Sequence, residues 1–176
     1  MDKGFKDLVL TRRSIRAYQK KKVEKEKVDF LITCGLSAPS SRARRPWELI
    51  VVDDGEKLKG LSQSREHGAH FIADAPLVIV VAANPELCDV WVEDAAILAS
   101  YIQLAAHSLG LGSCWIQVRE RLQKESVPTQ DAIKNLLSIP APYSVECVIA
   151  VGYPAEEKKP VTEESLLRSK VHYNGF

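Results

Sequence analysis

The chain has 176 residues, a formal net charge of +1, 45% hydrophobic residues and 27% charged ones. That length suits one domain, residues 1–176, with a sizeable core, and so even a charge balance excludes a general binder of nucleic acid or other polyanions. Cys34, Cys88, Cys114 and Cys147 form no Cys-x-x-Cys pair and have no histidine cluster beside them, which argues against a metal site; with a charged start from Asp2 and no apolar leader, the expectation is a cytoplasmic protein with reduced thiols.

In chain order, Phe5 to Thr11 reads as a short helix that ends at Arg12-Arg13-Ser14-Ile15-Arg16. Residues 19–27 form a lysine-rich connection, a solvated charged face. Val23 to Leu36 carries Val28, Phe30, Leu31, Ile32 and Leu36 in a helical pattern closed by Gly35 and Pro39. Trp47 to Val52 is rich in strand formers and bounded by Asp53-Asp54-Gly55; Glu56 to Ser64 is helical. Pro76 to Ala83 is a continuous apolar run, the mark of a strand covered on both faces.

Trp91 to Leu109 is the long helix, with Ala95, Leu98, Ala99, Ile102, Ala106 and Leu109 at helical spacing. No Asp, Glu, Lys or Arg occurs from Ala95 to Val118, a length that can cross a bilayer. Gly110, Gly112 and the polar Ser100, Gln103, His107, Ser108 and Ser113 favour a buried helix, a turn and then a strand over 113–118. Pro128 opens a helix to Leu137, and Ser144 to Val151 is the last strand, closed by Gly152-Tyr153-Pro154. Helices and strands mix throughout, an α+β pattern around about four strands. The aromatic-ended tail has little core of its own and suits packing across a partner, as does the apolar long helix.

Two segments join arginines to serine hydroxyls. Arg12, Arg13, Ser14 and Arg16 read either as a phosphate clamp or as a basic helix C-terminus that complements the macrodipole. Pro39-Ser40-Ser41-Arg42-Ala43-Arg44-Arg45-Pro46-Trp47 favours the clamp: two prolines fix the backbone and two hydroxyls stand beside three arginines. An RNA-binding basic-aromatic patch is the weaker reading of that loop. Gly110-Leu111-Gly112-Ser113-Cys114-Trp115 runs from helix into strand, the reverse of a dinucleotide fingerprint, so its glycines suit either a helix C-cap or the close approach of a flat ligand.

In this order and spacing, the Arg-Arg-Ser-Ile-Arg segment, Ala-Pro-Ser-Ser…Pro-Trp, Gly-Leu-Gly-Ser-Cys-Trp and Gly-Tyr-Pro resemble the nitroreductase family of FMN-dependent oxidoreductases, in its shorter branch. The resemblance runs over essentially the whole chain. It implies an intertwined α+β homodimer with a mostly antiparallel sheet of four to five strands flanked by helices, and two FMN sites at the subunit interface. Arg12, Arg13, Ser14 and Arg16 match the segment that holds the FMN phosphate and ribityl chain. Pro39, Ser40 and Ser41 match a loop reaching the flavin of the other subunit. Gly110, Leu111, Gly112 and Ser113 match the segment beside the isoalloxazine ring, and Lys158 or Lys159 a late basic residue on the phosphate.

The usual loop pattern is Ala-Pro-Ser-x-x-Asn-x-Gln-Pro-Trp; here Ala43 replaces the Asn and Arg45 the Gln. Arg45 keeps donors for the ribityl chain or ring edge and adds a charge that favours an anionic reduced flavin. The implied activity is a two-step cycle in which NAD(P)H gives hydride to flavin N5 and a nitroaromatic, quinone or similar acceptor then takes the electrons. The cofactor carries that chemistry, so no catalytic side chain is assigned and no metal is expected. His67, His70, His107 and His172 read as structural or surface groups, Glu93 and Asp94 as acids favouring the helix dipole, and Cys114 as a small buried residue. The alternative is a flavin-binding storage or redox-sensing protein with little turnover.

Overall fold

The computed structural model describes residues 4–123 and 126–176. Four strands, β1 (Trp47–Val52), β2 (Leu77–Ala83), β3 (Gly112–Gln117) and β4 (Ser144–Gly152), make one sheet in the order β1-β2-β4-β3. Every neighbouring pair is antiparallel. Five helices accompany them among the described residues: α1 (Phe5–Thr11), α2 (Lys25–Leu36), α3 (Gly55–Ser62), α4 (Trp91–Ser108) and α5 (Thr129–Leu137). The α+β expectation and the four-strand sheet hold.

β2 is buried at all seven positions because both sheet faces are covered. Val78 and Val80 face one core with Val148, Ala150 and Ile116, closed by Leu58 and Leu61 of α3 and Ile133 of α5. Their alternates, Ile79 and Val81, face the other core with Ile149 and Val151, closed by Leu31 of α2 and Leu98, Ala99 and Ile102 of α4. Such alternation follows from the period of two along a strand. No helix among the described residues is long and apolar enough to cross a membrane. The charge-free stretch is instead α4, the turn at Gly110 and β3.

Helix boundaries move by a residue or two from expectation. α2 starts at Lys25 rather than Val23, because Glu24 is extended at φ −64° and ψ 144°. Its carboxylate is taken by the Tyr153 hydroxyl at 2.7 Å. The lysine-rich connection is accordingly more than a solvated face: Lys21 lies 3.9 Å over the Tyr153 ring and Lys27 donates to its hydroxyl at 2.6 Å.

Candidate active site

The arginine segment leaves α1 at Arg12, whose backbone is extended. It then runs as a strap along the open edge of β3 and the exit of β4. Ser14 bridges Ser113 in parallel register, the Ile15 N–H donates to the Ser113 carbonyl at 3.0 Å, and Tyr18 bridges Pro154. Ile15 and Tyr18 are the strap's buried anchors. Gly112 permits this approach, since a Cβ there would stand 2.8 Å from Ile15 Cβ and Cγ2.

A cleft of about 340 Å³ opens between the strap, the C-terminal end of α4, the start of β3 and the segment after β4. Arg13, Gly110, Leu111, Gly112, Ser113 and Lys158 line it, joined by Thr11, Ile15, His107, Pro154, Glu156 and Glu157. Arg12, Ser14 and Arg16 stand on the strap itself. Gly110 takes the left-handed backbone, φ +73°, that turns the chain from α4 toward β3.

Charge is organised closely here. Arg13 Nη1 donates to the Lys159 carbonyl. Glu156 pairs with Lys158 at 2.6 Å and accepts the Arg16 N–H at 2.6 Å. The Lys158 ammonium, followed by the Arg16 N–H, holds the Glu156 carboxyl below its usual range. Arg12 Nη1 and Ser113 Oγ are buried and have no hydrogen-bond partner among the described residues. Two buried donors beside the arginine strap fit an oxygen-rich anionic ligand, because buried polar groups are seldom left unpaired. Burial pushes the Cys114 thiol up despite the nearby Arg16, Ser14 and Arg12, which suits an inert packed thiol.

The other predicted residues are not in this cleft. Pro39, Ser40, Ser41 and Arg45 belong to a loop at the opposite, N-terminal end of α4. Ser41–Ala43 makes a single 3₁₀ turn. Asp94, in the first turn of α4 and buried, accepts the Ser41 N–H at 2.9 Å through Oδ1 and the Cys88 thiol at 3.4 Å through Oδ2. Ser40 Oγ accepts the Arg45 N–H at 3.0 Å. Arg42, Ala43 and Arg45 all have positive φ, at 50°, 55° and 47°. Three strained non-glycine residues so close together are held only where the surroundings dictate them. Asp94 is thus a loop anchor as well as a helix-dipole acid.

Thr11, Glu156 and Glu157 escape the reading of the sequence, and His107 reads there as a structural or surface group, whereas all four line the cleft. For His107 a signal existed: it stands one turn before Gly110. Nothing in the local sequence marks the others, because the strap brings them together across the fold.

An α+β sheet with an arginine strap and cleft at one end of a buried helix, and a strained arginine loop at the other, has the donors that an anionic ligand would need. Residues 9–66 and 57–153 match the sequence model of the Nitroreductase family. The chain belongs to the nitroreductase family. An FMN-dependent nitroreductase from Clostridium difficile R20291 superposes with a TM-score of 0.95 at 52% identity, over 96% of this chain and 98% of that one. A protein of Archaeoglobus fulgidus provisionally named NADH dehydrogenase/NAD(P)H nitroreductase is 36% identical over 155 residues, 86% of each chain. The FMN reductase (NADPH) of Bacillus subtilis strain 168 is 28% identical over 193 residues, covering 96% of this chain and 74% of that one.

Proposed function

We propose that this chain is an FMN-dependent NAD(P)H oxidoreductase that works as an intertwined homodimer, each FMN lying between strap and cleft of one subunit and the arginine loop of the other. FMN held there would supply the redox chemistry that links NAD(P)H to a nitroaromatic, quinone or similar acceptor. Arg12, Arg13, Ser14 and Arg16, with Lys158, hold the phosphate and ribityl chain. Gly110, Leu111, Gly112 and Ser113 bring backbone against the ring. Pro39, Ser40, Ser41 and Arg45 close the site from the partner and exclude water.

One observation carries the shared site. Ser41 is tied to Asp94, whereas the cleft begins at His107, thirteen residues along the same helix. At 1.5 Å per residue these points are about 20 Å apart, so one subunit does not bring both groups to the same part of a ligand. A second copy with its α4 reversed does. The covering surface is present: Phe5, Phe30, Leu36, Ile97 and Tyr101 are exposed on α1, α2 and α4. Leu167, Val171, Tyr173 and Phe176 are exposed on the tail, and β1 is an open sheet edge. On this reading residues 1–176 are one domain of a cytoplasmic enzyme.

The deciding experiment is a visible spectrum of the purified protein followed by anaerobic addition of NADH and of NADPH. Flavin bands that bleach support the oxidoreductase. Flavin bands that resist both nucleotides favour storage or sensing, and no flavin after incubation with excess FMN overturns the proposal.

A further inference from the structure

Lys158 lines the cleft, yet its ammonium is already taken. Glu156 pairs with it at 2.6 Å through Oε2 and accepts the Arg16 N–H at 2.6 Å through Oε1. One carboxylate thus ties the strap to the segment after β4. The Lys158 ammonium, and then the Arg16 N–H, hold that carboxyl below its usual range, so it stays ionised at neutral pH. Arg13 is engaged as well, since its Nη1 donates to the Lys159 carbonyl, but a guanidinium keeps further N–H donors.

The cleft therefore carries its own anions. Glu156 and Glu157 line it together with Arg13 and Lys158. The two carboxylates are not equivalent: among the described residues, only Glu156 pairs with Lys158. That pair is partly open to solvent, with side chains 23% exposed at Glu156 and 40% exposed at Lys158. Exposed ion pairs are weak, so a stronger anion exchanges with one partner at little cost. A phosphate monoester brings close to two negative charges and three acceptor oxygens. To gain the full charge of Lys158 it must displace Glu156. Arg12 Nη1 and Ser113 Oγ, by contrast, have no internal partner to give up.

We propose that Glu156 is a specificity-determining residue for the flavin: it competes with the phosphate of FMN for Lys158, and so holds FMN affinity below what the strap's donors alone provide. A flavin without the phosphate is indifferent to it. The proposal rests on the FMN reading above and adds an internal competitor to it.

The test measures dissociation constants of FMN and of riboflavin, by quenching of flavin fluorescence, with full-length apo-protein at pH 8. Glu156→Gln keeps an oxygen for the Arg16 N–H and removes the charge. It should bind FMN about threefold to fivefold more tightly than wild type, as for one partly exposed charge contact. Riboflavin should bind both alike, which also reports that the variant's cleft is formed. Glu157→Gln removes a carboxylate that does not hold Lys158, and should gain less than about twofold. Lys158→Met alone should weaken FMN binding. In that background the gain from Glu156→Gln should fall to that of Glu157→Gln, because the contested ammonium is gone. A residue that merely braced the strap gives the opposite sign, with both flavins bound more weakly. Weaker or unchanged FMN binding by Glu156→Gln, an equal gain for riboflavin, a gain that survives the loss of Lys158, or FMN binding indifferent to Lys158→Met overturns the competition. Wild type that binds neither flavin overturns the FMN reading instead.

Discussion

Gly112→Ala tests whether the strap and β3 depend on close backbone approach. The added Cβ would meet Ile15 Cβ and Cγ2 at 2.8 Å and Cγ1 at 2.9 Å. No rotamer of Ile15 relieves a contact to its own Cβ. Its backbone is pinned as well, by the Ile15 N–H to Ser113 carbonyl bond. Going from 2.8 Å to the 3.4 Å of ordinary contact requires the strap to move by 0.6 Å at the least. Overpacking of this kind costs about 1–3 kcal/mol. A weakened Ile15–Ser113 bond adds about 1 kcal/mol. For a chain of this size, the resulting loss corresponds to a melting temperature about 5–10 °C lower. Because the strap carries Arg12, Arg13 and Arg16, FMN should also bind about tenfold more weakly. Thermal unfolding of the apo-protein and FMN titration read the two effects separately. Gly110→Ala is the control, since its Cβ would meet nothing within 4 Å and only the left-handed backbone opposes it; it should cost about 1 kcal/mol. A Gly112→Ala protein that melts with wild type and binds FMN as tightly would refute the reasoning.

Asp94→Ala should free the arginine loop by removing the acceptor of the Ser41 N–H, lowering stability by about 1–3 kcal/mol in denaturant titration; an unchanged midpoint would show that the loop is held by other contacts. Arg16→Ala should weaken FMN retention while light scattering still reports a dimer, and unchanged affinity would remove Arg16 from the clamp. The Tyr153 hydroxyl, more than any other group, lowers the Glu24 carboxyl from its ordinary 4.5 to about 2. A carboxyl held low stabilises the fold fully above its ordinary range and loses that contribution as pH falls toward its folded value. Wild type should therefore lose a small, salt-sensitive advantage over Glu24→Gln between pH 4.5 and 2, and a gap constant across that window would argue against the contact.

Residue spacing made most of the fold legible. β1 spans Trp47–Val52 as read, because β-formers end abruptly at two aspartates and a glycine. Ala95, Leu98, Ala99, Ile102 and Ala106, picked by helical spacing, are all buried in α4. The expectations that missed concern contacts distant in sequence. Glu24 and the lysines beside it are shaped by Tyr153, which lies more than a hundred residues away and forms no pattern with them. Asp94 looked like any acid in a first helical turn, yet Ser41 and Cys88 converge on it. The motifs named part of the cleft lining, Arg13 and Gly110 to Ser113, but the separation of the two arginine segments to opposite ends of α4 needed the fold. A helix length is visible in a sequence; which loop folds back to which end of it is not.

The left-handed backbone at Ala43 bears on how this loop diverges. The usual family pattern has asparagine there, a side chain that tolerates positive φ better than alanine does. Here alanine takes that backbone, at φ 55°. Asp94, the Ser40 hydroxyl and the Ala43 N–H to Ser40 carbonyl bond hold the loop without a side-chain hydrogen bond from residue 43. The chain thus carries an unrelieved strain of up to about 1 kcal/mol at an exposed position. Ala43→Asn is accordingly a single-residue route to a more heat-resistant protein, and a variant that melts no higher would show that the surrounding contacts already absorb the strain.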